Sequence, residues 1–300
     1  CLVRWAGHPG VLVALLESRV ALRRACARLS VFLESPGARG RVLPEVPTAS
    51  EYVAAGYSGH NFRPSDWARF CEAAEEAGVS LTEEEAWVGR ALGAAEAAMQ
   101  GVGGGAVAGA AEELGRLGLP DADPPPAESS LQPPSPALSS SPPGLGERLG
   151  CVAVARGLGK AEAAATLSHE LMHGLFYSYR ALRQRCRCFW EDEAGEEERA
   201  AWVAFLGVAG YDPDAPDLAA NELLAYMTTE SDIFAERNSS SREKGPRAAR
   251  HALGEEATRN AVLRGLQARF NRAVGPLVPR PLPALRDSPI PLQLHSPEKE

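Results

Sequence analysis

The sequence predicts an α+β fold that is mostly helical and contains a small sheet. Several long segments carry apolar residues at helical spacing, and two short runs, residues 29–34 and Cys151–Ala155, have the composition of strands. A third observation concerns size. With 45% hydrophobic and 23% charged residues among 300, we expect one folded domain of about 200 residues together with non-globular segments.

Turn and capping signals divide the first part of the chain into an N-terminal helical segment, residues 1–28, and the first part of the folded domain, residues 29–119. The elements predicted there are, in chain order, a helix over 12–28, a strand over 29–34, a loop over the Pro- and Gly-rich stretch 36–64, a helix from a Ser65 N-cap to Gly78, a helix that begins at the Thr82–Glu85 capping box, and a helical piece over 106–117.

Proline and serine dominate residues 120–148, and proline dominates the tail, residues 275–300. Such compositions cannot bury enough apolar surface to offset the entropy of ordering, so we predict a disordered insertion and a disordered tail. They flank the second part of the domain, residues 149–274. Its predicted elements are a strand at Cys151–Ala155, a long helix over 160–185, a helix over 199–208, a helix from an Asp217 N-cap to Glu236, and a final helix over 247–273.

Composition excludes several classes of protein. The net charge of -8 and the pI near 5.4 are contrary to the basic face of a nucleic-acid binder, so we expect no nucleic-acid partner. No apolar run approaches the ~20 residues of a membrane span. The six cysteines are scattered along a long chain, which favours reduced, partly buried thiols over a disulfide framework.

The N-terminal stretch bears on the compartment. The chain begins at Cys1 rather than methionine, which indicates a truncated N-terminus, and residues 1–33 contain five arginines against one acid, Glu17. This bias is typical of the end of a transit peptide and equally of an ordinary basic helix. We expect a soluble intracellular protein, with an organelle as the alternative location. The oligomeric state stays open.

The strongest motif is His169-Glu170-Leu171-Met172-His173, an H-E-x-x-H sequence in a segment predicted to be helical. Residues four apart share one face of a helix, so both imidazoles can reach one metal ion. Apolar residues surround the motif, and buried histidines must find partners. A zinc ion would satisfy both rings, and we predict one zinc site here. The alternative is a pair of core histidines bonded to backbone or carboxylate groups.

A catalytic zinc ion usually has three protein ligands and one position for water. No histidine follows His173 nearby, because Phe176 and Tyr179 occupy the positions at which some zinc enzymes carry a glycine and a third histidine. The third ligand is therefore expected to be a carboxylate on a later helix. Glu222 stands there among apolar residues, and Glu230 and Asp232 compete with it. One of those two could instead orient a zinc-bound histidine.

Glu222 lies in Asn221-Glu222-Leu223-Leu224-Ala225, and with this second motif residues 160–230 resemble the gluzincin branch of the zinc metallopeptidases. In that branch, H-E-x-x-H on one helix is completed by a glutamate on a second helix, often within Asn-Glu-x-x-Ala. The resemblance implies a zincin-like catalytic domain that holds zinc through His169, His173 and Glu222 and cleaves a peptide or protein substrate. It assigns Glu170 as the general base that acts on a zinc-activated water.

The same resemblance implies a sheet whose edge strand frames the active-site helix, and residues 31–34 or Cys151–Ala155 are the candidates for it. Other hypotheses stay open. Cys186 and Cys188 could complete a structural zinc site with the two histidines. The domain could bind zinc as a non-catalytic interaction module, or it could be a helical scaffold without metal. Candidates for stabilising an oxyanion, none of which lies in a motif, are His60, Tyr211, Tyr226 and His251.

Overall fold

The computed structural model describes residues 2–5, 8, 10–102, 149–230, 234, 257–278 and 292–294. Within them, one mixed sheet is formed by β1 (Leu2–Trp5), β2 (Val11–Leu16), β3 (Gly59–Phe62), β4 (Gly150–Ala155) and β5 (Leu292–Leu294). The order across the sheet is β3-β4-β2-β1-β5. β2 and β4 are parallel and the other neighbours are antiparallel, so β3 is an antiparallel strand at one edge.

The described residues contain more helix than strand, which confirms a mostly helical fold with a small sheet. The helices are α1 (Arg19–Glu34), α2 (Pro64–Glu76), α3 (Glu83–Val102), α4 (Lys160–Ser178), α5 (Arg180–Cys188), α6 (Glu196–Val208), α7 (Leu218–Thr229) and α8 (Ala257–Val274). Shorter turns are Val53–Gly56 and Gly275–Leu277, both 3-10, and a π turn at Phe189–Glu193. None of these helices is long and apolar enough to cross a membrane.

The sheet separates two hydrophobic cores because successive side chains of a strand point to opposite faces. Val11 and Val13 of β2 face the core formed with α4 to α8, whereas Leu12 and Ala14 face the core formed with α1 to α3. The β4 side chains divide in the same way. The domain therefore has three layers, and α4 is one of the helices that cover the sheet on the face opposite α1.

A pair of glycines brings α4 close to the sheet. A Cβ atom on Gly150 of β4 would lie 2.5 Å from the carbonyl oxygen of Gly174 in α4, and a Cβ on Gly174 would lie 2.6 Å from Cγ1 of Val11. Any side chain at these positions would push helix and sheet apart. The backbone of α4 is thus packed directly on β4, one residue beyond His173.

A buried ion pair ties α1 to α3. The guanidinium of Arg28 donates to both carboxylate oxygens of Glu85, with Nε 2.9 Å from Oε1, and to the carbonyls of Leu43 and Ser80, each at 3.0 Å. Glu85 also completes the predicted capping box, since Thr82 N donates to Oε2 at 2.8 Å and Glu85 N donates to Thr82 Oγ1 at 3.1 Å. The capping-box prediction is confirmed.

The prediction of a helix over 12–28 and a strand over 29–34 is wrong, because Val11–Leu16 is strand β2 and Arg19–Glu34 is one helix. The hydroxyl of Ser18 accepts from Ala21 N at 3.1 Å and begins that helix. Residues 1–28 are therefore not a separate helical segment, since two strands of the shared sheet lie within them. The predicted loop over 36–64 also contains β3.

Several helix boundaries differ from the predictions. The predicted helix over 160–185 consists of α4 and α5, which meet at Tyr179. The helix predicted from a Ser65 N-cap begins at Pro64, and Asp66 caps it by accepting from Arg63 N at 2.9 Å. Asp217 precedes α7 as predicted, but its carboxylate binds Arg187 rather than the helix amides. That helix ends at Thr229, before the predicted Glu236.

The predicted insertion, residues 120–148, lies outside the described residues, as do the helical piece over 106–117, Asp232 and His251. The final helix is described from Ala257 to Val274. Two pieces of the predicted tail have regular structure instead of disorder, a 3-10 turn at Gly275–Leu277 and strand β5, which pairs with β1. The five described cysteines are free thiols, as expected.

Candidate metal centre

Helices α4 and α7 bring together the three side chains that were predicted to bind zinc. Nε2 of His169 lies 3.8 Å from Oε2 of Glu222, and Nε2 of His173 lies 3.8 Å from Oε1 of the same carboxylate. One potential ligand atom from each residue falls within 4.8 Å of the others. All three side chains are almost fully buried, so the group lies inside the domain.

The donor set fits a metal ion. Oε2 of Glu222 is buried and has no hydrogen-bond partner in the described part of the chain, and leaving such an atom unpaired costs about 1–3 kcal/mol. The 3.8 Å separations are too long for hydrogen bonds. They suit atoms that share one ion, because the ligands of a tetrahedral zinc ion lie about 3–4 Å from one another. Two imidazoles and one carboxylate are ligands that zinc accepts.

Each histidine has an acceptor close to its other ring nitrogen, although only the contact of His173 has the geometry of a hydrogen bond. Nδ1 of His173 lies 3.0 Å from Oδ1 of Asn221, and Nδ1 of His169 lies 3.2 Å from Oε1 of Glu230. An acceptor at Nδ1 holds the proton there and leaves the Nε2 lone pair for a metal ion. Glu230 therefore occupies the position of an orienting carboxylate. The role of Asn221 was not predicted from the sequence, although this residue directly precedes Glu222 in the motif.

The charges around the site are poorly balanced by protein groups alone. Burial raises the pKa of Glu170 to about 7 and that of Glu222 to about 8. Burial disfavours the His169 cation, but Glu230 and the two other carboxylates raise its pKa to about 9. Burial and the neighbouring His169 cation lower the pKa of His173 well below its usual value. Without a metal ion, Glu222 would thus be largely protonated at neutral pH, and a divalent cation would favour its ionised form, which can act as a ligand.

Glu170 lies beside the ligand set, against the edge strand β3. Its Oε2 accepts from Nδ2 of Asn61 at 3.4 Å, and a Cβ on Gly59 would lie 2.5 Å from its Cγ. Both predictions for the edge strand are wrong. Residues 31–34 belong to α1, and Cys151–Ala155 belongs to β4, which lies between β3 and β2. The edge strand is Gly59–Phe62, inside the stretch that was predicted to be a loop.

The oxyanion candidates are divided between the two faces of the sheet. Tyr226 packs edge-on against His169, with ring centroids 4.7 Å apart. Tyr211 makes a hydrogen-bonding contact with Glu222, which lowers the pKa of that carboxyl group against the larger, opposite effect of burial. His60 instead bonds Ser30 of α1, with Nδ1 2.6 Å from Oγ. It therefore lies away from the centre.

Cys186 and Cys188 do not join the histidines. The group of potential metal ligands found among the described residues consists of His169, His173 and Glu222. Cys186 is instead part of the apolar core on the α4 side of the sheet, where burial raises the pKa of its thiol to about 12. Burial in apolar surroundings is typical of an unreactive, structural cysteine.

The chain matches no protein-family model, no curated protein and no solved structure. The function proposed below is therefore based on the residues of the metal centre alone.

Proposed function

We propose that the chain is a zinc-dependent hydrolase of the gluzincin type, with peptides as its substrates. The observation that carries the proposal is the position of Glu170: it lies next to the group formed by His169, His173 and Glu222 without being part of it. Two imidazoles and one carboxylate would hold the ion and leave a coordination position open, which is typical of catalytic rather than structural zinc sites.

The residues divide the chemistry between them. His169 and His173 would bind zinc through Nε2 and Glu222 through its carboxylate, and the bound ion would polarise a carbonyl group and lower the pKa of water towards about 7. Glu170 accepts the proton of the attacking water and afterwards donates it to the leaving amine. Without metal its pKa is raised to about 7 by burial, and a divalent cation beside it would lower that pKa and favour the carboxylate that accepts a proton.

The edge strand supports a peptide as substrate. β3 pairs with β4 on one side and is the first strand in the order across the described sheet, so an added strand could pair only with its other side, although the four residues of β3 are themselves buried. Gly59 and Asn61 of this strand both contact Glu170. An extended peptide that pairs with β3 would therefore bring its own backbone next to the general base.

The experiment combines zinc content with cleavage. Elemental analysis of the purified chain should give one zinc per chain, and mass spectrometry of a peptide library should detect cleavage products. Glu170→Gln should keep the zinc. Its rate of cleavage should fall at least about 100-fold, which is the lower end of the range that a general base contributes. The matched control is Glu162→Gln, an exposed change in the first turn of α4 that should cleave normally.

Three results would overturn the proposal. Zinc without cleavage would make the domain a zinc-binding interaction module. A folded chain without zinc would make it a helical scaffold. Equal cleavage by Glu170→Gln and the intact chain would remove Glu170 from the reaction.

A further inference from the structure

A continuous chain of hydrogen bonds joins a proposed zinc ligand to the proposed general base. His173 Nδ1 lies 3.0 Å from Oδ1 of Asn221, whose Nδ2 donates to the hydroxyl of Tyr177 at 3.1 Å. That hydroxyl donates to Oδ1 of Asn61 at 2.8 Å, and Nδ2 of Asn61 donates to Glu170 at 3.4 Å. Three elements, β3, α4 and α7, thus meet at the Tyr177 hydroxyl.

The donors along this series of hydrogen bonds all point the same way, towards Glu170 at one end and away from His173 at the other. When Glu170 is ionised it only accepts hydrogen bonds, so Asn61 turns its Nδ2 towards Glu170 and its Oδ1 towards Tyr177. The single hydroxyl proton of Tyr177 is then used, so its oxygen accepts from Asn221 Nδ2. Asn221 consequently presents Oδ1 to His173, which must carry its proton on Nδ1. Nε2 of His173 is left with a free lone pair.

Tyr177 is well placed to keep this order. It follows His173 by four residues on α4, and therefore shares the face of the helix that carries the ligand. The guanidinium of Arg63 lies over its ring, 5.6 Å from the centroid, while Arg63 itself is held by Asp66. Burial raises the pKa of the Tyr177 hydroxyl well above its usual value, which keeps it a donor.

We propose that Tyr177 and Asn61 are positioning residues that couple the tautomer of His173 to the orientation of Glu170. The inference deepens the proposed function and rests on it for the roles of these two residues. Neither Tyr177 nor Asn61 touches the metal ligands directly. Tyr177 acts on His173 through Asn221, and Asn61 orients Glu170 by donating to it.

Tyr177→Phe tests the coupling, because it removes one hydroxyl and keeps the ring. The first measurement is NMR of the histidine ring nitrogens in the zinc-free full chain, with the His173 signal identified by its loss in His173→Ala. The intact chain should show His173 protonated on Nδ1 alone, and Tyr177→Phe should show a mixture of both tautomers. The matched control is Tyr179→Phe, which alters an exposed tyrosine two residues away and should leave the tautomer unchanged.

The second measurement compares zinc affinity and kinetics. Tyr177→Phe should lower zinc affinity or kcat by about 10–100-fold, which is the usual effect of losing a residue that supports a metal ligand from outside the coordination sphere. The KM should stay unchanged. Asn61→Asp, which accepts from Tyr177 but cannot donate to Glu170, should lower kcat to a similar extent. Both changes break the same series of hydrogen bonds. The loss of kcat in the double variant should therefore be smaller than the product of the two single losses.

The two measurements separate this proposal from the proposed function. The tautomer can be observed without any cleavage. Suppose that the protein cleaves no peptide, that its His173 is protonated on Nδ1 alone, and that Tyr177→Phe gives both tautomers. This result would support the coupling and contradict the proposed hydrolase activity. A Tyr177→Phe chain that melts earlier yet keeps the tautomer, the zinc affinity and kcat would show that Tyr177 only packs, and would overturn the coupling.

Discussion

Gly59 and Glu170 approach each other so closely that no side chain fits between them. A Cβ atom at position 59 would lie 2.5 Å from Cγ of Glu170 and 2.6 Å from its Oε1. The edge strand and the proposed base are therefore in direct contact, and glycine is required at position 59 for reasons of space. Its backbone conformation is not the cause, since Gly59 is not among the described glycines with positive φ.

Replacing Gly59 by alanine should displace Glu170 without disturbing the ligands. We expect Gly59→Ala to keep its zinc and to lose about 100-fold in kcat/KM, because a base that is misplaced by about 1 Å loses that much. Steady-state kinetics on the zinc-loaded protein measures the effect. Gly93→Ala is the control, since a Cβ there meets nothing within 4 Å. Unchanged kinetics in Gly59→Ala would show that the base does not depend on this contact.

Substitution of the acidic residues should separate the third ligand from its competitors. Glu222→Gln should weaken zinc binding more strongly than Glu230→Gln, for which the 10–100-fold loss of an orienting partner is expected, about 1.4–2.7 kcal/mol. Zinc affinity on the folded fraction, measured by competition with a chelator, gives the order. Asp232→Asn completes the comparison. If Glu230→Gln or Asp232→Asn lost zinc while Glu222→Gln kept it, Glu222 would not be the ligand.

His60 should make the domain sensitive to mild acid. Burial lowers its pKa to about 4, whereas in the unfolded chain it is about 6.5. Above pH 6.5 neither state binds the proton. Between about pH 6.5 and 4 only the unfolded state binds it, so the free energy of unfolding falls as the pH falls, by up to about 3 kcal/mol. Below pH 4 this contribution is constant.

The measurement is denaturant unfolding of the intact chain and of His60→Gln, at neutral pH and at about pH 4.5. Acidification should destabilise the intact chain by about 2–3 kcal/mol more than the variant, because glutamine binds no proton in this range. Equal losses in the two proteins would mean that His60 is not buried in its neutral form.

Breaking the buried Arg28–Glu85 pair should destabilise the domain strongly. Arg28→Met leaves the Glu85 carboxylate buried and unpaired, which costs about 3–5 kcal/mol. The same two helices carry a partly exposed pair, Arg24 and Glu84, as a matched control, and Arg24→Met should cost no more than about 1 kcal/mol. Thermal or denaturant unfolding compares them. A small effect of Arg28→Met would mean that water reaches Glu85 after the change.

Local signals predicted part of this structure well. The H-E-x-x-H helix, the helix that carries Glu222 and the Thr82–Glu85 capping box all depend on residues within one or two turns of each other. The strand Val11–Leu16 was mistaken for helix because it is covered on both faces. A strand of that kind is apolar throughout, and its lack of alternation makes it look like part of a buried helix.

Contacts across long sequence separations escaped prediction. Gly59–Phe62 contains glycine, histidine and asparagine, which is a poor composition for a strand, and it becomes one because β4 pairs with it while α1 and α4 cover it. Asn61 and Tyr177 stand 116 positions apart, and no local pattern joins them. The one available signal was Asn221, which precedes Glu222 within the recognised motif.

The contact between Gly150 and Gly174 has a consequence for how an ion would enter the centre. His173 is bonded to a residue whose backbone already rests on the sheet, so this part of α4 cannot tilt or slide unless the strand beneath it moves as well. The side chain of His173 is then ordered when the chain folds, and little further ordering is needed when a cation binds. An arriving cation would meet a preformed receptor, and the affinity would depend on ligand chemistry and not on remodelling of the protein.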